Sequence, residues 1–269
     1  MPSVWISPGM DGPGGRLTPS SIPAALNIDA PAADLPGVSV NDLVLVQGLK
    51  DTRTTLQEWN QAPWSVLRGW LLLSLAVAVT LLAAVWWIAT LSTPDSSPLL
   101  LPGVHYRAHL SDAAGVLYHN SLVLALHVMA CVAGFIAGSS LPQSAAQRSG
   151  LSRLIHEKAG PLAIGFVACA TTFSLVTQAY VLGGGVSTVA AEMHMSRALL
   201  LVALLPHALP ELVALFLPLA AWLVASRRGE WHKLLAATFV TFAISAPVLV
   251  VTALVEVYVS PHLLLALAS

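Results

Sequence analysis

Charged residues are scarce in this chain. Only 9% of its 269 residues are Asp, Glu, Lys or Arg, against about 25% in an average soluble protein. The net charge of −1 also provides no basic field for binding nucleic acid. Because hydrophobic residues make up 56% of the chain and the mean hydropathy is +0.77, the composition predicts a membrane protein and argues against a soluble enzyme.

Signals of catalysis and redox chemistry are also missing. The two cysteines, Cys131 and Cys169, lie in apolar runs, so we expect small buried side chains and no disulfide framework. No nucleotide-binding, zinc-protease or serine-hydrolase motif occurs in the sequence. His105 and His109 are four residues apart in a predicted loop, where zinc is a minor alternative. We expect no catalytic activity, cofactor or bound metal.

Five long runs without charge dominate the chain. Each exceeds the roughly 20 residues that cross a bilayer as a helix, so the fold class predicted is all-α, a polytopic membrane helical bundle in residues 66–269. The predicted spans are about 68–92, 115–140, 161–183, 198–225 and 234–260. Residues 1–40 are rich in Pro and Gly and are predicted to be a disordered tail. Residues 41–65 carry apolar residues at helical spacing, which predicts a short interfacial helix.

Basic residues lie mainly on one side of these spans. Three basic residues precede the first span, and three lie in each of the loops after the second and fourth spans. In chain order they are Lys50, Arg53 and Arg68; Arg148, Arg153 and Lys158; and Arg227, Arg228 and Lys233. The two opposite loops hold only Arg107 and Arg197. The positive-inside rule therefore predicts a cytoplasmic N-terminus and an extracytoplasmic C-terminus.

The fourth span has an unusual centre. Pro206 and Pro210 each remove a backbone donor, which predicts a broken helix at membrane depth. His207 and Glu211 are four residues apart and share one face. These groups either hold the break in place by bonding neighbouring helices or form an ion or proton site, since an intramembrane carboxylate is costly.

Other spans carry polar groups as well. Glu256 is a second intramembrane acid, on a face of the fifth span with Ser245 and Thr252. Asn120 and His127 share a face of the second span. Such stripes converge either as hydrogen-bonding contacts between helices or as a hydrophilic passage. If the two acids approach each other, one of them can carry a proton.

Small residues predict close helix packing in two places. Gly134 and Gly138 form a GxxxG step that lets two helices approach each other. The three consecutive glycines at 183–185 predict the end of the third span and a loop after it.

The run from Leu204 through Pro206-His207 to Glu211-Leu212, followed by an apolar helix and a basic loop, resembles the core motif of the stage II sporulation protein M family. Glu256, shortly before Ser260-Pro261, and Asn120 near the start of the second span extend the resemblance over about residues 60–263. The resemblance implies a non-enzymatic bacterial membrane protein that belongs to a complex of the cell envelope. By this resemblance, four residues correspond to motif residues of the family, and none of them corresponds to a catalytic residue: Pro206, His207, Glu211 and Glu256.

Three functions remain open at this point. The first is a membrane scaffold or assembly subunit whose partners are lipid, other envelope proteins or further copies of the chain. The alternative is a small ion- or proton-coupled transporter or channel subunit that uses the region Pro206–Glu211. A membrane enzyme with His207 and Glu211 as acid and base is the weakest, because it lacks a nucleophile or a third metal ligand.

Overall fold

The computed structural model describes residues 44–96, 99–140 and 150–268, without the side chains of 44–47, 140, 150–160 and 163. The tail predicted for residues 1–40 lies outside the described residues. The helices are α1 (Val44–Gln61), α2 (Pro63–Leu91), α3 (Leu110–Phe135), α4 (Gly150–Glu192), α5 (Arg197–Arg228), α6 (Leu234–Tyr258) and α7 (Ser260–Ala268). A π-helical turn, Ile136–Ser140, extends α3, and a 3-10 turn, Trp231–Lys233, precedes α6.

Five of the described helical segments are long and apolar enough to cross a membrane. They are Pro63–Leu91, Leu110–Ser139, Ile164–Glu192, Arg197–Arg228 and Trp231–Ala268. This confirms the predicted helical bundle and makes the chain a multi-pass membrane protein. The amphipathic helix α1 stands before the first span, within the region 41–65 where a short helix was expected.

Helix α5 forms the centre of the bundle and packs against α2, α3 and α6. Its residues Ala214 to Trp222 are buried without interruption. Three neighbouring helices donate hydrogen bonds to its backbone: Ser74 Oγ of α2 to the Val213 carbonyl, Ser245 Oγ of α6 to the Ala214 carbonyl at 2.6 Å, and Cys131 Sγ of α3 to the Pro218 carbonyl at 3.2 Å. Polar groups in the apolar core therefore hold the helices around α5.

The predicted break in the fourth span is wrong. Helix α5 runs continuously from Arg197 to Arg228 with Pro206, Pro210 and Pro218 inside it. Each proline removes a single backbone bond, and the surrounding bonds of a 32-residue helix keep it helical. Pro206 and Pro210 lie on an exposed face, so their rings do not press into the packed core.

The predicted end of the third span at residue 183 is also wrong. Helix α4 is 43 residues long and continues through all three glycines to Glu192. A Cβ on Gly183 would lie 2.6 Å from Ile88 Cγ2 of α2. The absence of a side chain at this position thus permits close contact between two helices, which outweighs the poor helix propensity of glycine.

Gly134 and Gly138 lie where α3 and its π-helical turn meet other elements. A Cβ on Gly134 would come within 2.7 Å of Trp222 Nε1, and one on Gly138 would clash with the ring of Trp231. Both are packing positions against aromatic side chains. The expectation for the cysteines fails in one case, because Cys131 is buried whereas Cys169 is exposed on the outer surface of α4.

Candidate functional site

A cavity of about 1240 Å³ lies inside the membrane-spanning region. Its wall is built from α2, residues within 92–96 and 99–102, Val116 of α3, α4, α5 and the junction of α6 with α7. Helix α4 packs mainly against α2 and much less against α3 and α5, which leaves space between it and the centre of the bundle. His207, Glu211 and Glu256 all line this cavity, so the structure brings three of the predicted polar residues to one place.

His207 joins α5 to the start of α7. Its Nδ1 lies 2.6 Å from the Oγ of Ser260, and both side chains are buried. Ser260 Oγ also lies 3.3 Å from the Val255 carbonyl near the end of α6. In the sequence, Ser260 stood out only as part of a terminal Ser-Pro step. Its contact with His207 fixes the part of the wall that carries Glu256.

Glu211 on α5 and Glu256 on α6 both line this cavity, and the two helices pack against each other. The side chains of Asn120 on α3 and Thr252 on α6 lie beside the Glu211 carboxyl. Even so, Glu211 Oε2 is buried and has no hydrogen-bond partner among the described residues. A buried carboxylate oxygen without a donor is costly, so this acid calls for a proton or another positive partner.

Asn120 and His127 mark a polar seam between α3 and α5. The Nδ2 of Asn120 and both ring nitrogens of His127 are buried without partners in the described part of the chain. His127 packs edge-on against Phe216 with ring centroids 5.6 Å apart. His127 therefore lies deeper in the protein than the pair of acids, and only Asn120 belongs to the immediate surroundings of Glu211.

The segment between α2 and α3 covers one end of the cavity. Glu192 Oε1 accepts a hydrogen bond of 2.9 Å from the Leu99 amide, and Thr188 Oγ1 accepts one of 3.0 Å from the Asp95 amide. Ser187 Oγ donates to the Ser92 carbonyl at 2.9 Å. The C-terminal turns of α4 thus hold this segment over the cavity. The sequence analysis did not predict a role for these residues. The one feature that could have pointed to them is the acid Glu192, which ends an uncharged run.

The charged groups around the cavity are all acidic. Asp95, Glu211 and Glu256 line it, and the described lining includes no lysine or arginine. The other lining side chains are mostly aliphatic, among them Leu82, Val85, Leu204 and Leu264. The cavity therefore combines mostly apolar walls with acidic side chains that favour positive charge.

The histidines of the loop before α3 have structural contacts. His105 Nδ1 accepts a hydrogen bond of 3.0 Å from the Leu101 amide. His109 is the N-cap of α3, and its amide donates to Asp112 Oδ2 at 2.8 Å in a capping box. Among the residues that the structure describes, no group of three His, Cys, Asp or Glu side chains could hold a metal ion.

Comparison with protein-family models, with curated proteins and with solved structures finds no match to this chain.

Proposed function

We propose that this protein is a transport subunit of the bacterial cytoplasmic membrane that binds cations in its intramembrane cavity and couples their binding to protons at the Glu211–Glu256 pair. One observation carries the proposal: two half-buried carboxylates, Glu211 and Glu256, line a cavity of about 1240 Å³ whose described wall has no lysine or arginine. No catalytic role is proposed for any residue.

The energetics of the pair favour coupled binding. Two ionised carboxylates that line the same cavity repel each other, and the repulsion is stronger where water is excluded. A proton on one acid removes this repulsion, and a bound cation does the same. Because a proton and a cation neutralise the same charge, they compete for the site, and this competition is the basis of exchange transport.

The shape of the cavity favours an organic cation. Its volume is slightly above the usual range of small-molecule sites in proteins, and its walls are mostly aliphatic. A compact inorganic ion would leave most of this surface without a partner. The preferred ligand therefore has a charged group for the acids and an apolar body for contact with α2, α4 and α5.

The side of the membrane on which the cavity opens is inferred from the distribution of basic residues. With the N-terminus in the cytoplasm, the segment 92–102 lies on the outer side of the membrane and the cavity is nearer that side. Glu211 lies 14 residues into α5, about 21 Å along its axis, and Glu256 lies two residues before the end of α6. The cavity then receives its ligand from the outer side or from the outer leaflet.

Uptake into proteoliposomes tests this function. The probe is 1-methyl-4-phenylpyridinium, an organic cation with an apolar ring, supplied outside vesicles that are acidic inside and contain a pH-sensitive dye. We expect uptake together with loss of internal protons, and a reduction of at least tenfold in both for Glu211→Gln. Glu58→Gln, an exposed acid on α1, is the matched control. Equal uptake by Glu211→Gln and the intact protein would refute the proposal.

A scaffold function is the second candidate. It is supported by the resemblance to the stage II sporulation protein M family and by the outer surface of α4, where Phe166 and Phe173 are 75% and 74% exposed. A photo-crosslinking residue at Phe173 tests it in intact membranes, with Val79 of α2, which is also exposed, as the control position. A scaffold predicts one defined protein adduct at 173 and none at 79. Lipid adducts alone at both positions would exclude it.

A further inference from the structure

A second cavity, separate from the candidate functional site, lies between α1 and the first span. Its volume is about 670 Å³, and it is lined by α1, the first half of α2 and two residues of α6. Its walls include Leu56 of α1, Leu67 and Trp70 of α2, and Phe239 of α6. We refer to it as the α1 cleft. It is large enough for part of an acyl chain.

The opening of the α1 cleft is polar and basic. Arg53, Gln57 and Asn60 of α1 line it, and Arg53 is the one charged residue in its described lining. Arg53 is exposed to solvent. The acids Asp51 and Glu58 are on α1 as well but are not part of this lining. The guanidinium of Arg53 is therefore available to a molecule bound in the cleft, since no acidic side chain is part of the described lining.

The position of the cleft matches the boundary between lipid and water. Pro63 begins the first membrane-spanning helix, and Trp64 beside it is 69% exposed, as is typical of tryptophan at a membrane interface. Trp59 of α1 and Trp70 of α2 pack edge to face with ring centroids 5.2 Å apart. This pair joins the end of the amphipathic helix to the span, so the cleft opens at the level of lipid headgroups.

A smaller cavity on the other side of the two tryptophans adds positive charge. It has a volume of about 240 Å³ and is lined by Trp59, Trp70, Arg228 and Lys233. Lys233 Nζ is paired with Glu230 Oε1 at 3.0 Å, so Arg228 adds the net positive charge there. The linings of the two cavities thus contribute one arginine each, Arg53 and Arg228, beyond the Lys233–Glu230 pair.

We infer that the α1 cleft is a binding site for an anionic phospholipid of the leaflet next to α1. One acyl chain lies against Leu56, Leu67 and Phe239, and the headgroup phosphate lies at Arg53 with Asn60 as a hydrogen-bond donor. The apolar walls select a lipid over a soluble phosphate, and the basic opening selects an anionic headgroup over a zwitterionic one. This site does not depend on the transport function.

Native mass spectrometry of the full chain tests this inference. The delipidated protein is mixed with equal amounts of phosphatidylglycerol and phosphatidylcholine of the same acyl chains. We expect preferential binding of phosphatidylglycerol. Arg53→Ala should weaken that binding about fivefold, since a basic residue at an anionic surface contributes about 1 kcal/mol. Phosphatidylcholine binding should not change.

Arg68→Ala is the matched control, because Arg68 is an exposed arginine at the same end of the bundle that lines neither cavity. Leu56→Trp is a second variant that fills the cleft and keeps its charge; it should reduce phosphatidylglycerol binding at an unchanged apparent Tm. The inference is overturned if the intact protein binds both lipids equally, if Arg53→Ala and Arg68→Ala have the same effect, or if Leu56→Trp binds as the intact protein does.

Discussion

Ser245 of α6 donates a hydrogen bond of 2.6 Å to the carbonyl of Ala214 on α5, and this is the carbonyl that Pro218 leaves without its usual backbone donor. A proline cannot donate to the carbonyl four residues before it. A hydroxyl of the adjacent helix replaces the missing donor where both groups are buried. The continuity of α5 thus depends on its neighbour as well as on its own sequence.

This hydrogen bond predicts that the effects of Ser245→Ala and Pro218→Ala on the free energy of unfolding are not additive. Ser245→Ala alone should lower the free energy of unfolding by about 1 kcal/mol, in the range measured for hydrogen bonds between membrane helices, because it leaves the Ala214 carbonyl unpaired. In the background of Pro218→Ala, which restores the backbone donor, the same substitution should cost much less. Apparent Tm values of the four proteins in detergent measure the coupling.

Thr80→Ala is the control for this cycle, since Thr80 Oγ1 bonds the Ala76 carbonyl of its own helix and should show no coupling to residue 218. Additive effects of Ser245→Ala and Pro218→Ala would show that the hydroxyl does not replace the lost donor.

Two adjacent glycines of α4 should respond differently to alanine. Gly183→Ala should destabilise the protein by about 1–3 kcal/mol, the usual cost of overpacking, because the new methyl group would meet Ile88 of α2. A methyl group on Gly184 would meet no atom of a neighbouring element within 4 Å. Gly184→Ala should therefore be neutral or slightly stabilising, since alanine is the better helix former. Thermal unfolding in detergent compares the two, and equal effects would contradict close packing at Gly183.

The segment over the cavity should loosen when Glu192 is neutralised. Glu192→Gln weakens the acceptor for the Leu99 amide, because charge-assisted hydrogen bonds are about twice as strong as neutral ones. We expect faster hydrogen exchange in residues 92–101 and unchanged exchange in the centre of α5. Glu230→Gln, an acid at the opposite end of the bundle that pairs with Lys233, serves as the control. If both variants exchange alike over residues 92–101, Glu192 does not hold the segment.

The sequence was sufficient for the membrane helices because a bilayer demands long uncharged runs, and such runs are visible without a structure. The face shared by His207 and Glu211 also followed directly from their spacing. The behaviour of the prolines and glycines did not, since it depends on other helices: Ser245 supplies a donor beside Pro218, and Ile88 occupies the space that a side chain at Gly183 would fill.

The sequence was sufficient to identify the acidic residues of the candidate site, but not the residues that surround them. Glu211 and Glu256 were conspicuous as charges inside apolar spans. That both line one cavity depends on the packing of α5 against α6, which no spacing within one helix reveals. Ser260 was inconspicuous as well, because a serine at the end of a span has many possible uses and its contact with His207 links parts of the chain far apart in sequence.

In the proposed function, Glu211 and Glu256 exchange a proton for a cation. The most direct test of this exchange is the release of protons when 1-methyl-4-phenylpyridinium is added to the purified protein in weakly buffered detergent. The intact protein and Glu58→Gln should release protons in proportion to the cation bound, and Glu211→Gln should release none. Binding without proton release by the intact protein, or equal release by Glu211→Gln, would contradict the account.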